Sequence, residues 1–185
     1  MSAGALYERV AACLMGVDSD KADAMILASD TKMYKVIDKL KEKLYVIDKN
    51  GLTLSEVDRY IKTANAKKFE SGVDVVMIDY LQYMKDCSKF EVVAETAKGM
   101  KPLAKENNVH VIVLSQLNRG SRIWEKPSMA DLKGGGDLEA SADIVFLLWK
   151  PGANPELTPE EADIMKNTVM LGVGKARRGC KVDEI

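Results

Sequence analysis

The sequence lacks several features that would restrict the kind of protein it encodes. It has no run approaching the ~20 consecutive apolar residues that a membrane-spanning helix requires, which excludes a bilayer span. Its first residues form neither the basic nor the apolar segment of a secretory signal, so we expect a cytoplasmic protein. Only three cysteines and one histidine occur, widely separated, which excludes a disulfide framework and a zinc site.

Two further absences concern glycine and charge. No Gly-x-Gly-x-x-Gly turn follows an early strand, which argues against a dinucleotide-binding enzyme. The net charge of -1 excludes a uniformly basic surface, so any contact with nucleic acid must be local. Positive charge is concentrated in two glycine-containing segments, 119–133 and 175–181.

What is present indicates one α/β domain. An apolar content of 46% in 185 residues is enough for a sizeable core, and no linker or repeat divides the chain. Residues 1–43 are expected to be a helical part, with Ser29 or Asp30 capping a helix that ends near Glu42. Residues 44–185 are expected to form the sheet core. Within it we predict a short strand at 44–47 and an amphipathic helix capped by Ser55.

Three apolar runs predict the main sheet, at residues 73–78, 109–114 and 142–148. Helices between continuous apolar strands are typical of a mostly parallel, twisted sheet with helices on both faces. The helix predicted over 90–107 contains Pro102, where we expect a kink or a break. Residues 168–173 and 181–185 predict an antiparallel C-terminal hairpin, and Thr158 predicts the start of a solvated helix.

Ligands of open parallel sheets collect beyond the carboxyl ends of the strands, and polar residues follow each apolar run here. Asp79 follows the first run, as in a Walker B strand, where such an aspartate orders Mg²⁺ through water. Gln116 follows the second run and could bond a γ-phosphate or an attacking water. Lys175 and Arg177 lie at the predicted hairpin tip, from which exposed cations could reach a phosphate.

The order and spacing of these motifs resemble the C-terminal motor domain of the DnaB family of hexameric replicative DNA helicases, in bacteria or phages. The resemblance rests on five segments, strongest after Val73: Ile78-Asp79-Tyr80-Leu81-Gln82, Leu114-Ser115-Gln116-Leu117-Asn118-Arg119, Asp131-Leu132-Lys133, Asp143-Ile144-Val145 and Lys175-Ala176-Arg177-Arg178-Gly179. It implies a RecA-like P-loop NTPase core, with ATP and Mg²⁺ at the interfaces of a homohexamer. The implied activity is ATP-driven 5′-to-3′ unwinding of DNA at the replication fork.

The resemblance also implies roles for individual residues. Asp79 would be the Walker B aspartate that holds Mg²⁺ through water, and Gln116 the γ-phosphate sensor. Lys175 and Arg177 would act on the neighbouring subunit's ATP, with Arg177 as the arginine finger. The segment 119–136 would face single-stranded DNA, with contacts from Arg119, Arg122, Lys133, Gly134 and Gly136. Primase and a helicase loader are further implied partners.

Two departures from the family pattern matter for function. The family's Arg-Glu-Ser-Gly is Lys133-Gly134-Gly135-Gly136 here, which loses a carboxylate and gains backbone freedom. No Gly-x-x-x-x-Gly-Lys-Ser/Thr phosphate loop occurs, and we expect that segment to lie before position 1. Because its lysine and backbone N–H groups supply most of the grip on the phosphates, we predict negligible ATPase activity for the polypeptide alone.

Three interpretations therefore stay open. The first is part of a replicative helicase, either a fragment that lacks the segment before position 1 or a natural relative that has lost catalysis. The second is a non-catalytic DnaB-like module that joins a helicase ring or binds loader, primase or DNA. The third is a RecA/RadA-like recombination ATPase, which would share Asp79 and Gln116 but is less consistent with the Leu114–Arg119 string.

Overall fold

The computed structural model describes residues 2–87, 89–118, 120–133 and 135–177, with only the backbone described at 90 and 135. The chain divides into two compact units, residues 1–74 and 75–185. Each unit is described by itself below. Among the described residues, no helix is long and apolar enough to cross a membrane.

The first unit consists of four helices, each with a side-chain N-cap. They are α1 (Ala3–Met15), α2 (Ser19–Leu27), α3 (Thr31–Lys43) and α4 (Leu54–Lys67). Asp30 caps α3 by accepting from the backbone N–H groups of Lys32 and Met33, as expected from the sequence. Ala11, Ala12, Ala22, Met33 and Ile37 form its buried cluster.

Two local predictions for this unit are wrong. Residues 44–47 form no strand, and the backbone carbonyl of Leu44 instead accepts a hydrogen bond of 2.7 Å from the Tyr7 hydroxyl. Thr53, and not Ser55, is the N-cap of α4, because Thr53 and Glu56 form a reciprocal capping box. The backbone N–H of Thr53 and the ammonium of Lys49 both donate to Glu56 and lower the pKa of its carboxyl to about 2.

The described part of the second unit carries four strands in two pairs. β1 (Val75–Ile78) runs parallel to β2 (His110–Val113), and β3 (Ile144–Trp149) runs antiparallel to β4 (Met170–Ala176). The helices of this unit are α5 (Phe90–Asn107), α6 (Gly135–Ser141) and α7 (Pro159–Met165). Thr158 caps α7 through a capping box with Glu161, which confirms that helix start.

Helix α5 is the crossover that a parallel pair requires between β1 and β2. It continues through Pro102 without a break, although a proline removes one helical hydrogen bond. Buried side chains lie on both sides of the proline, among them Val93, Ala97, Met100 and Leu103. We attribute the continuity of α5 to the burial of this apolar face.

The α/β fold class is confirmed, with a correction to the strand pairing. The third apolar run was predicted within the parallel sheet, but β3 pairs with β4 in the antiparallel sense. Residues 181–185, the predicted second strand of the hairpin, lie outside the described residues. Alternate strand residues stay exposed, including Val75, Met77 and Ile112 on the parallel pair and Phe146 and Leu148 on the antiparallel pair.

The core of the helical unit generates a stability prediction. Met33 is 0% exposed, whereas Leu27, at the end of α2, is 87% exposed. Met33→Ala should therefore lower the free energy of unfolding by about 2–5 kcal/mol, since it leaves a cavity, while Leu27→Ala should change it by less than about 1 kcal/mol. Urea denaturation followed by circular dichroism measures both. Equal losses for the two variants would contradict the assignment of this core.

Candidate functional site

Asp79 and Gln116 lie at the carboxyl ends of the two paired parallel strands. Ile78 is paired with Val113 at the end of the register, and Asp79 follows it directly. The pairing continues past the strands, because Leu114 donates its backbone N–H to the carbonyl of Ile78 at 2.9 Å. Both predicted side chains are exposed, so they are accessible to a ligand from this edge.

Tyr80 joins these two strand ends. Its hydroxyl interacts with Tyr83 and with the side chain of Gln116, and the two tyrosine rings lie 4.5 Å apart. The hydrogen bond with Tyr83 is the main reason that the pKa of Tyr80 is raised; burial and the charge of Asp79 add to the increase, while the bond with Gln116 opposes it. The phenol therefore stays protonated near neutral pH. The Asp79–Tyr80 peptide bond is cis.

A loop leaves Gln116 and returns to it. Leu117 and Leu132 form an isolated antiparallel bridge, and Lys133 donates its backbone N–H to the carbonyl of Gln116 at 3.1 Å. We call residues 117–133 the 117–133 loop. Its closure places Lys133, a predicted DNA contact, directly beside the predicted phosphate sensor.

Asp131 organises the interior of the 117–133 loop. Its carboxylate accepts hydrogen bonds from the backbone N–H of Ser128 at 2.7 Å, the Ser128 hydroxyl at 2.8 Å and the Ser121 hydroxyl at 3.0 Å. The same three bonds lower the pKa of Asp131 below its usual 3.8, with the Ser128 backbone bond the largest cause. Asp131 therefore stays ionised and holds the two arms of the loop together.

The predicted DNA-contact residues are only partly brought together. Lys133 is exposed, and Arg122 bonds Glu125 at 2.8 Å and lies 5.8 Å from the Trp124 ring. Gly136 belongs to the first turn of α6, with open space where a side chain would be. Arg119 and Gly134 lie outside the described residues. The glycine-rich segment is thus in part the start of a helix.

Lys175 and Arg177 bind the opposite end of α6. The Lys175 ammonium donates to the carbonyl of Glu139, and the Arg177 guanidinium donates to the carbonyl of Ala140 at 2.8 Å. Arg177 also lies 3.6 Å from Asp143. Cations at the last turn of a helix satisfy its free carbonyls and complement its dipole. In this chain the two residues predicted to act on a neighbouring subunit's ATP therefore cap the helix that begins at Gly135.

Residues that the sequence interpretation left without a role also lie at this site. Tyr80, Gln82, Ser115 and Asp131 contact the predicted residues or support the loop. For Tyr80, Gln82 and Ser115 the available signal was their position shortly after the two apolar runs, and for Asp131 it was the Asp131-Leu132-Lys133 segment. Among the described residues, no group of three or more histidines, cysteines or carboxylates could hold a metal by itself. A Mg²⁺ ion shared between one carboxylate and nucleotide phosphates needs no such group.

A family model described as DnaB-like helicase C terminal domain matches residues 1–184. Replicative DNA helicase DnaB of Buchnera aphidicola subsp. Acyrthosiphon pisum is 34% identical over 145 residues, or 75% of this chain and 30% of that protein. Replicative DNA helicase DnaB of Mycobacterium intracellulare is 39% identical over 132 residues, or 66% of this chain and 22% of that protein. The chain thus spans less than a third of the length of these curated relatives.

Two solved structures share the fold. One, an ATPase domain, superposes with a TM-score of 0.79 at 24% identity, covering 97% of this chain and 65% of that one. The other, a DnaB-like replicative helicase studied together with its interactions with primase, superposes with a TM-score of 0.78 at 24% identity and covers 97% and 45%. At this identity the superpositions establish the fold.

The Asp131 contacts predict how the loop depends on pH. A carboxyl whose pKa is lower in the folded state contributes stability that is present above its unfolded pKa and is lost as the pH falls through its folded pKa. The Ser128 amide resonance should therefore titrate with a midpoint below 3.8, the usual value for Asp131. NMR measures the midpoint, with Asp131→Asn as the non-titrating control. A midpoint at or above 3.8 would contradict these contacts.

The capping of α6 predicts a salt-dependent effect on stability. Lys175→Met and Arg177→Met should each lower the free energy of unfolding by about 0.3–1 kcal/mol at low salt, because each removes a cation from the helix C-terminus. Added salt should reduce the loss, since the groups are partly exposed. Lys85→Met, which replaces an exposed lysine outside the described helices, is the control. Losses that do not change with salt would argue against the electrostatic explanation.

Proposed function

Because the chain belongs to the DnaB-like helicase C-terminal domain family, we propose that it forms the Walker B half of a replicative helicase motor. The observation that carries the proposal is the pairing of β1 with β2, which puts Asp79 and Gln116 at one sheet edge. The 117–133 loop closes on the same edge. The proposed nucleotide contacts and the proposed DNA contacts would then lie at the same edge of the sheet.

In this proposal ATP is the cofactor, and separate residues of the chain contact the metal ion, the nucleotide and the DNA. Asp79 would hold Mg²⁺ through water, and the ion would supply positive charge to stabilise the nucleotide phosphates. Gln116 would contact the γ-phosphate or the attacking water. The Tyr80 hydroxyl, which interacts with the Gln116 side chain, would help to position that amide. Lys133, Arg122, Arg119, Gly134 and Gly136 would contact the backbone of single-stranded DNA.

Lys175 and Arg177 would act on the ATP of a neighbouring subunit in a homohexamer. In the single chain both cations are bound to carbonyls of α6, so reaching a neighbour's phosphate requires an exchange of partners. A phosphate is a stronger acceptor for a guanidinium than a neutral carbonyl, which favours the exchange when nucleotide is present. Release would also leave the last turn of α6 uncapped.

The remaining part of the motor would be a segment that carries a phosphate loop. No such motif occurs in the sequence, and the chain covers only 65% of the solved ATPase domain that shares its fold. Exposed apolar side chains at Val75, Met77 and Ile112 offer a face against which additional secondary structure could pack. We propose that hydrolysis requires both parts and drives 5′-to-3′ unwinding in the cytoplasm, with primase and a loader as partners.

The alternative is a non-catalytic module that uses the same residues for binding. Such a module would not require the Asp79 carboxylate, because it hydrolyses no ATP. It would predict DNA or ring binding that is unaffected by loss of this carboxylate. A recombination ATPase of the RecA/RadA type is less consistent with the match to the helicase family model over residues 1–184.

The proposal predicts nucleotide hydrolysis that depends on Asp79. The chain is assayed alone and together with a DnaB segment that contains the phosphate loop, with and without single-stranded DNA. Alone it should show negligible hydrolysis. The mixture should hydrolyse ATP, and Asp79→Asn should reduce the rate at least roughly 100-fold, since loss of electrostatic groups at such sites costs about 10²–10³. Arg177→Ala should have a comparable effect through the neighbouring subunit.

Asp74→Asn is the matched control. Asp74 is an exposed carboxylate directly before β1, whereas Asp79 directly follows it, so only the end of the strand differs. Full activity of Asp74→Asn with loss in Asp79→Asn supports the proposal. Hydrolysis by the chain alone would refute the requirement for a second part, and equal activity of both variants would favour the binding-module alternative.

A further inference from the structure

One side chain joins three segments of the site. Gln82 lies on the 3₁₀ turn Leu81–Tyr83 that follows the Walker B position. Its Nε2 donates to the hydroxyl of Ser115 at 3.0 Å and to the backbone carbonyl of Lys133 at 3.4 Å. Its Oε1 accepts the backbone N–H of Gln116 at 3.4 Å. The contacts reach both the end of β2 and the end of the 117–133 loop.

The chemistry of these contacts is specific to a carboxamide. The Gln116 amide is a donor and the Lys133 carbonyl is an acceptor, so a side chain that satisfies both must offer an oxygen and an N–H together. Exchanging the oxygen and nitrogen of the Gln82 amide would put donor against donor and acceptor against acceptor, which also settles its orientation. A glutamate offers no N–H, and a methionine of similar length offers neither group.

Gln82 is held on a rigid support. Leu81, the first residue of the turn, is 0% exposed, and Met84, which directly follows the turn, is 6% exposed. Leu81 also donates its backbone N–H to the carbonyl of Leu114 at 2.9 Å. The turn is thus fixed to the end of β2 independently of the Gln82 side chain.

We propose that Gln82 is a positioning residue that makes Gln116 and Lys133 move together, so that nucleotide contact at one changes DNA contact at the other. The inference rests on the roles proposed above for these two residues. The backbone bond from Lys133 to Gln116, at 3.1 Å, joins the two positions at one point. Gln82 adds a second connection, because its side-chain amide bonds both the backbone N–H of Gln116 and the backbone carbonyl of Lys133. Moving either residue alone would break one of these hydrogen bonds.

The first experiment tests whether Gln82 connects Gln116 to Lys133, by amide hydrogen exchange on the 185-residue chain. Gln82→Met should accelerate exchange at Gln116 roughly tenfold, because it removes the acceptor of that N–H. Leu114, whose N–H bonds Ile78, is the internal reference and should keep its rate. Gln82→Glu keeps the acceptor and should preserve protection at Gln116. Unchanged exchange at Gln116 in Gln82→Met would overturn the proposal; acceleration at both Gln116 and Leu114 would mean general unfolding and would also overturn it.

The second experiment asks whether Gln82 acts through Lys133. Binding of fluorescent oligo-dT is measured for the unmodified chain, Gln82→Met, Lys133→Ala and the double variant, with exposed Lys85→Ala as the control. Gln82→Met should weaken binding roughly threefold to tenfold. In the Lys133→Ala background the same substitution should change binding less than roughly twofold, because the positioned cation is already absent. Additive effects would overturn the proposed route through Lys133.

The two experiments separate this inference from the proposed function. If the unmodified chain does not bind oligo-dT, the proposed DNA contacts fail, and with them the route from Gln82 to DNA. The exchange result then still decides whether Gln82 holds the two segments together. Binding that is normal in every Gln82 variant would leave the helicase proposal standing and remove Gln82 from it.

Discussion

The site depends on the parallel pairing of two short strands. Four residue pairs, from Val75 with His110 to Ile78 with Val113, set the register, and two further backbone bonds at Leu114 extend it past the strand ends. Since parallel strands end at the same edge, this register puts both Asp79 and Gln116 at one edge of the sheet. A shift of one residue would turn each following side chain to the opposite face.

The 117–133 loop is built on that edge by hydrogen bonds that close it at two levels. The outer closure joins Leu117 and Gln116 to Leu132 and Lys133 through the backbone. The inner closure is the Asp131 carboxylate, which collects three donors from Ser121 and Ser128. A loop held in this way limits the positions of Arg122 and Lys133, which would reduce the entropy lost in the proposed contact with a phosphate backbone.

Helix α6 links the loop to β4. It begins at Gly135, shortly after the end of the loop, and its last carbonyls receive Lys175 and Arg177. Lys98 and Lys101 of α5 contribute ion pairs with Asp137 and Asp143 at 3.0 and 2.5 Å. A seven-residue helix has little stability of its own. The ion pair of Asp137 near its start and the Lys175 and Arg177 contacts at its end therefore support it. Displacement of Lys175 or Arg177 would therefore remove contacts that support α6.

Local patterns in the sequence were sufficient for several of the helices and strands, and they nominated the candidate site residues. Caps such as Asp30 and Thr158, the apolar runs, and the polar residues after them depend on near neighbours, and the strand-helix order together with the motifs indicated the fold class. Only the tertiary structure decided which strands pair, that residues 44–47 are not a strand, and that Lys175 and Arg177 cap α6. It also decided that Gln82 reaches Gln116 and Lys133, 34 and 51 residues away. The physical reason is that pairing and side-chain contacts between distant segments depend on how the chain packs, which no periodicity within a segment encodes.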